Sequence, residues 1–153
     1  MFTPTSPVVG IVLTGMTAPT YTLTADYAPA ANGKQYAVTA LGGTQTGARS
    51  HSNSSPFTAT WFKDPAPKQL PALNVNGQLG TVPMVKNRLI VRQGQLPLAG
   101  QAYKTAVIRC EMDTPAGADL ADVMQQKALM SFFGGLVSVN AQEFYNTIAT
   151  GVI

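Results

Sequence analysis

The spacing of apolar residues changes once along this chain, and that change limits what it can fold into. In "YKTAVIRCEMDTP", residues 103–115, the side chains alternate. Lys104, Ala106, Ile108, Cys110 and Met112 share one side, and Tyr103, Thr105, Val107, Arg109 and Glu111 share the other. Period two is the signature of a strand with two unlike faces. From Asp119 to Val137 the period is helical: Leu120, Val123, Met124, Lys127, Met130 and Phe133 fall on one stripe. Strands followed by helices predict an α+β fold.

Earlier runs support the β half. Residues 8–14 and 20–26 are short β-rich runs around "GMTAP" and predict a hairpin or a pair of adjacent strands in an N-terminal hairpin region of residues 1–30. An Asn-Gly turn signal opens a strand over 32–41. Further strands are predicted over 57–64, stopped by Pro-Ala-Pro at 65–67, over 87–93, and over the stretch from 103. The sheet region spans 32–113 and the helical region 114–150, within one domain of residues 1–153. The Gly/Ser/Thr stretch 42–56 reads as a loop with nothing to bury. The Pro/Gly/Asn-rich stretch 65–86 reads as a long connection with room for a short strand near Leu79. Gly134-Gly135 are a stop or kink signal, and Asn140 with Glu143 a capping-box-like start for a second helix to about Ala149.

Charge is sparse and uneven. Only 11% of residues are charged, which suggests a surface covered by other copies or partners. Between Lys34 and Arg109 there are nine basic residues and one acid, Asp64; after Cys110 acids prevail. A basic middle before an acidic end points to a polyanion-facing sheet under a differently charged helical cap. One cysteine excludes an internal disulfide, and Cys110 reads as an inert thiol in an apolar row. The N-terminus lacks a basic region before its short apolar run, so neither a signal peptide nor a membrane span is expected.

Catalytic chemistry is not visible. The single histidine, His51, lies in the Gly/Ser loop without a neighbouring carboxylate, and reads as structural. No nucleophile elbow, zinc-protease or Cys-x-x-Cys motif occurs, and "GQAYKT" lacks the spacing of a phosphate loop. Asn53-Ser54-Ser55 is a chance glycosylation match, and Asp119 with Asp122 suit the first turn of a helix. No enzyme activity, cofactor, metal or small-molecule substrate is expected.

From "WFKDPAP" at 61–67 onward, and most clearly in "AGQAYKTAVIRCEMDTP" with the helices after it, the chain resembles the coat proteins of single-stranded RNA bacteriophages, the leviviruses. The resemblance covers about 90 residues of the chain; the first 56 match only in kind. It implies an N-terminal β-hairpin, a five-stranded antiparallel sheet and two C-terminal α-helices. It also implies an intertwined homodimer, with sheets joined edge to edge and each subunit's helices over its partner's sheet. Such dimers build an icosahedral virion shell around single-stranded genomic RNA in the host bacterial cytoplasm. Many family members also bind a hairpin of their own RNA as translational repressors.

On this scheme Lys63, Arg88, Arg92, Thr105, Arg109 and Trp61 face the RNA, with Trp61 stacking on a base unless it is a core or dimer-contact aromatic. Ile108, Leu120, Val123, Met124, Met130 and Phe133 form the dimer interface, although in a single domain the same stripe would be core. The loop at 94–100, stiffened by Pro97, corresponds to the one that meets its copies at the shell's symmetry axes. Two other readings compete. One is a non-capsid single-stranded nucleic-acid-binding β-barrel, which also uses basic strands and aromatics but has no need of an apolar helical pair. The other is a different self-assembling β-protein in which the basic face means little.

Overall fold

The computed structural model describes residues 2–66 and 68–153. Six strands run β1 Val8–Val9, β2 Thr17–Asp26, β3 Gly33–Thr44, β4 Phe57–Phe62, β5 Met84–Gln95 and β6 Lys104–Pro115. They form one antiparallel sheet in chain order, so β1 and β6 are its edges. Three helices follow, α1 Ala118–Ala121, α2 Val123–Val139 and α3 Ala141–Thr150. The α+β order is as expected, but the division into a hairpin and a five-stranded sheet is not. The hairpin strand β2 pairs with β3 along its length, which makes the sheet continuous and six-stranded.

Other boundaries moved for local reasons. The run 8–14 yields only a two-residue strand, because the Met16 amide donates to the Leu13 carbonyl (2.9 Å) and turns the chain back. No strand forms between 63 and 83 among the described residues. Near Leu79 the chain instead closes on itself, with Asn74 Oδ1 accepting the Asn76 (3.0 Å) and Gln78 (2.9 Å) amides. Pro67, the last residue of the expected Pro-Ala-Pro stop, lies outside the described residues. The helical region holds three helices rather than two, because Asp122 leaves helical geometry between α1 and α2.

Helix α2 runs through Gly134-Gly135 and stops at Asn140. The capping box does not form: Asn140 Nδ2 donates back to the Leu136 carbonyl (2.9 Å), and its side chain caps no amide of α3. Asparagine there ends one helix instead of starting the next.

The loop between β3 and β4 is anchored, contrary to its composition. Ser55 is buried and Gln45 nearly so. Gly94 donates to the Pro56 carbonyl (2.6 Å), and Ser55 Oγ donates to the Gly94 carbonyl (3.3 Å). A Cβ on Gly94 would lie 2.5 Å from Ser55 Oγ, so only glycine lets this loop close on β5. His51 is the structural residue expected: its Nδ1 accepts the Phe57 amide (3.0 Å) and its own amide donates to Val38 (2.7 Å). Arg49 extends the anchorage by lying 4.7 Å over the Tyr103 ring.

The core of the isolated subunit is small. Among the described residues, the buried apolar side chains are Ala37, Val38, Ile90 and Ala116, together with Pro19. Thr58 and Thr60 are the buried polar residues at the sheet's centre, and Thr60 is 0% exposed. No helix residue is buried, and no helix is long and apolar enough to cross a membrane among the described residues.

At the end of β4, Asp64 Oδ2 accepts the Lys86 amide (3.1 Å) and Oδ1 the Ala66 amide (3.0 Å), clasping the long connection to β5. The Lys86 amide, and then the Ala66 amide, hold the Asp64 carboxyl below its ordinary 3.8. A carboxyl lowered by folding contributes stability that is complete above the unfolded pKa. The contribution disappears as pH falls through the lower folded value. Lys86 amide exchange should therefore stay protected down to pH 3.8 and open only below it; opening already above that pH would show that the clasp does not hold the loop.

Candidate nucleic-acid interface and assembly edge

Strand pairing decides which side chains share a face. Arg88, Ile90 and Arg92 of β5 lie opposite Glu111, Arg109 and Val107 of β6. On the other side the same three lie opposite Phe62, Thr60 and Thr58 of β4. Thr60 and Thr58 in turn oppose Gln35 and Ala37 of β3. Arg88, Arg92, Thr105 and Arg109 are therefore brought onto one face, as expected.

Trp61 is not on that face. It pairs with Leu89 on the opposite side of the sheet, where its indole stacks on Phe2 (centroids 5.3 Å, 17°) and Phe2 packs edge-on to Tyr36 (6.0 Å). The grouping of Trp61 with the arginines is thus corrected. The register sets β4 against β5 so that the phenyl of Phe62, not the indole, lies under Arg88, 5.9 Å from its guanidinium. Lys63 sits one residue beyond β4, its backbone clasped by Asn32 (3.1 and 2.7 Å). It borders a cleft with Lys86 and Arg88 on one side and a cleft with Trp61 and Met112 on the other.

The arginine face is internally wired. Arg92 Nη1 donates to Thr60 Oγ1 (3.1 Å), Thr60 donates to Gln35 Oε1 (2.8 Å), and Gln35 Nε2 donates to Asp26 Oδ2 (2.7 Å). This relay crosses four strands and runs from a cation to an anion. The Gln35 bond and the Tyr27 amide hold the Asp26 carboxyl below its ordinary value. Sequence reading missed the relay because its members come from four separate strands and only pairing aligns them. The one available signal was the unusual Gln and Thr at inward strand positions.

Two other cations on the face are engaged. Arg88 Nε lies 3.7 Å from Glu111 Oε1, and Lys86 Nζ 3.5 Å from Asp113 Oδ2. Both pairs are exposed, so they contribute little stability, but they offset charge. Arg109 has no ion-pair partner among the described residues. Net positive potential on this face therefore comes from Arg92 and Arg109, at the sheet's middle and its β6 edge. The described residues contain no cluster of three or more His, Cys, Asp or Glu side chains suited to a metal.

The opposite face carries the assembly features. Ile108 is 69% exposed although it sits mid-strand in an apolar row. Met130 and Phe133 of α2 approach that row at Cys110 and Met112. Leu120, Val123 and Met124 face open solvent, Leu120 being 85% exposed. The tip of the β1–β2 hairpin touches the helices through one bond, the Thr14 amide to Gln142 Oε1 (2.8 Å).

This fold matches that of a solved chain. Over 100% of both chains, the subunit of a virus-like particle of bacteriophage ESE020 superposes with a TM-score of 0.94 and is 40% identical. The chain belongs to the bacteriophage coat-protein family. No protein-family profile matches it, and no curated protein does. The coat protein's place is the virion shell, and its role there is structural. An open six-stranded meander with unpaired β1 and β6 edges also differs from the closed barrel of the competing nucleic-acid-binding reading.

Because Thr60 is fully buried and joins Arg92 to Gln35, Thr60→Val keeps its shape but breaks both bonds. Leaving buried polar partners unsatisfied costs about 1–3 kcal/mol. At roughly 2–4 °C per kcal/mol for a domain of this size, the melting temperature of assembled coat protein should fall by several degrees at fixed concentration. An unchanged midpoint would mean that the relay contributes nothing.

Proposed function

We propose that this coat protein is the shell subunit of a levivirus-type, single-stranded RNA phage. On this reading it dimerises, assembles into an icosahedral shell in the bacterial cytoplasm, and turns its arginine face inward onto the genome. The observation that carries the reading is the absence of any buried residue on three helices rich in large apolar side chains. An exposed apolar surface of that kind marks a protein contact. Ile108, left open between the helices and the β6 edge, lies where a second copy's helices would cover it.

RNA supplies the occupant of the other face. Arg92, held by Thr60, and Arg109, without an ion-pair partner among the described residues, offer two cations per subunit for phosphate contacts and counterion release. The acids at Glu111 and Asp113 keep this potential modest. Packaging by weak contacts repeated over many subunits suits that surface. A repressor function would need a specific RNA hairpin seated on the same face, with Thr105 and Arg109 among its contacts.

The first test is electron microscopy of the protein expressed alone in bacteria, with absorbance at 260 and 280 nm on the same particles. Uniform shells with a nucleic-acid absorbance ratio are expected. Shells free of RNA would remove the RNA half of the proposal, and a small soluble species would remove its assembly half. Replacing Arg88, Arg92 and Arg109 together with alanine should leave dimers intact and reduce packaged RNA. The salt slope of RNA binding should weaken by about 0.7 for each phosphate that is no longer neutralised. Unchanged RNA content would place the genome elsewhere. Ile108→Asp puts a charge where helices must pack and should abolish soluble dimer; normal particles from that variant would mean this face is not the interface.

A further inference from the structure

We infer that Asn76 is a self-modification site: the Gly77 nitrogen displaces its side-chain ammonia, and hydrolysis leaves a carboxylate at the apex of the long connection between β4 and β5. The inference concerns the chain's own chemistry and stands apart from the RNA reading.

Two Asn-Gly pairs occur, Asn32-Gly33 and Asn76-Gly77. Asparagine is a thermolabile residue. A following glycine exposes it most, because no side chain shields or stiffens the attacking nitrogen. In the reaction that nitrogen bonds to the asparagine Cγ and the Cγ–Nδ2 bond breaks. Nδ2 leaves as ammonia, taking up the proton that the glycine nitrogen gives up. Water then opens the five-membered succinimide at either carbonyl, giving aspartate or isoaspartate. No oxidant, reductant or cofactor takes part. In the sequence the two pairs are chemically alike.

The fold even gives them the same turn. The Gly33 amide donates to the Ala30 carbonyl (3.0 Å), and the Gly77 amide to the Asn74 carbonyl (2.9 Å). Each asparagine is thus the third residue of a four-residue turn, and each attacking nitrogen starts hydrogen-bonded. The turn does not separate the two pairs; their surroundings do.

Asn32 is locked. Its Nδ2, the leaving group, donates to the Lys63 carbonyl (2.7 Å), and the Lys63 amide donates back to the Asn32 carbonyl (3.1 Å). Gly33 opens β3 and pairs with Phe62 of β4. A Cβ on Gly33 would lie 2.9 Å from the Phe62 ring, so this glycine is packed against a phenyl group. Ring closure needs the side chain and the glycine nitrogen to swing toward each other. At Asn32 that movement breaks the Lys63 clasp and disturbs a strand.

Asn76 is open. It is exposed, and its side chain makes no hydrogen bond among the described residues. Only its own loop holds it. Asn74 Oδ1 accepts the Asn76 and Gln78 amides, and the Asn74 amide donates to the Gln78 carbonyl (2.9 Å). Around Gly77, at φ +74°, nothing lies within 4 Å of where a Cβ would stand. A turn closed by local bonds alone opens without disturbing the sheet.

Conversion lowers the chain's formal net charge of +3 by one. Isoaspartate also adds a carbon to the main chain at the apex, which breaks the closure between Asn74 and Gln78. Every copy in a shell carries the site, so the fraction converted records the age of the particle.

The test incubates the purified protein in its native, assembled form at mildly alkaline pH and follows tryptic peptides by mass spectrometry. Residues 69–86 carry Asn76 and residues 1–34 carry Asn32. Peptide 69–86 should gain the mass of an amide turned acid, with fragment ions placing it on Asn76 rather than Asn74 and with isoaspartate among the products. The bonds that hold Asn32 should make its native conversion slower by about tenfold or more. In the urea-unfolded chain both sites should convert at similar rates. Equal native rates at the two sites, or no native conversion at Asn76 while the unfolded chain converts, would overturn the inference. Asn76→Gln should abolish the acidic shift on isoelectric focusing; a shift that persists in that variant would also overturn it.

Discussion

A 17-residue helix that is apolar around most of its circumference and has no buried residue cannot stay uncovered in water. In α2, Leu129, Met130, Phe132, Phe133 and Leu136 all remain exposed within the subunit. Only one edge of the helix, at Met130 and Phe133, comes near the chain's own sheet. The rest of the structure follows from this constraint. The subunit's own core is a thin layer at the sheet centre, and Ile108 stands open in the middle of β6. A chain of this length would ordinarily bury about 70% of its unfolded surface. Here much of that burial is left to the assembly.

The sheet prepares for assembly at its edges in two different ways. β1 is two residues long and offers little ladder to a stranger, which blunts one edge. β6 is 12 residues long and bare, and carries Arg109 followed by the acids Glu111 and Asp113. The short edge discourages open-ended growth of the sheet on that side.

The polar face is organised by rigidity more than by quantity of charge. Arg92 reaches Asp26 through Thr60 and Gln35, so the four central strands share one line of oriented dipoles. Arg88 and Lys86 are held by Glu111 and Asp113. A surface of this kind presents few cations at fixed positions, and repetition in a shell multiplies them.

Much of this was legible in the linear pattern. Alternation in "YKTAVIRCEMDTP" separates Arg109 from Ile108 and Cys110, and the change of period after Pro115 announces the helices. The site is less legible. Alternation groups Trp61 with the arginines only by assumption, because it assigns two faces within a strand but does not align one strand's faces with the next. Pairing Trp61 with Leu89 and Phe62 with Arg88 decides that alignment. The buried Thr60 and the anchored Ser55 loop are invisible for the same reason, since their partners lie 25 to 39 residues away. By itself, then, the sequence determined the elements, their order and the two-sidedness of each strand, all of which are local properties of backbone period. Which sides coincide, which arginine is held and which edge stays bare were decided only by tertiary structure, because strand register is set by contacts between residues distant in the chain.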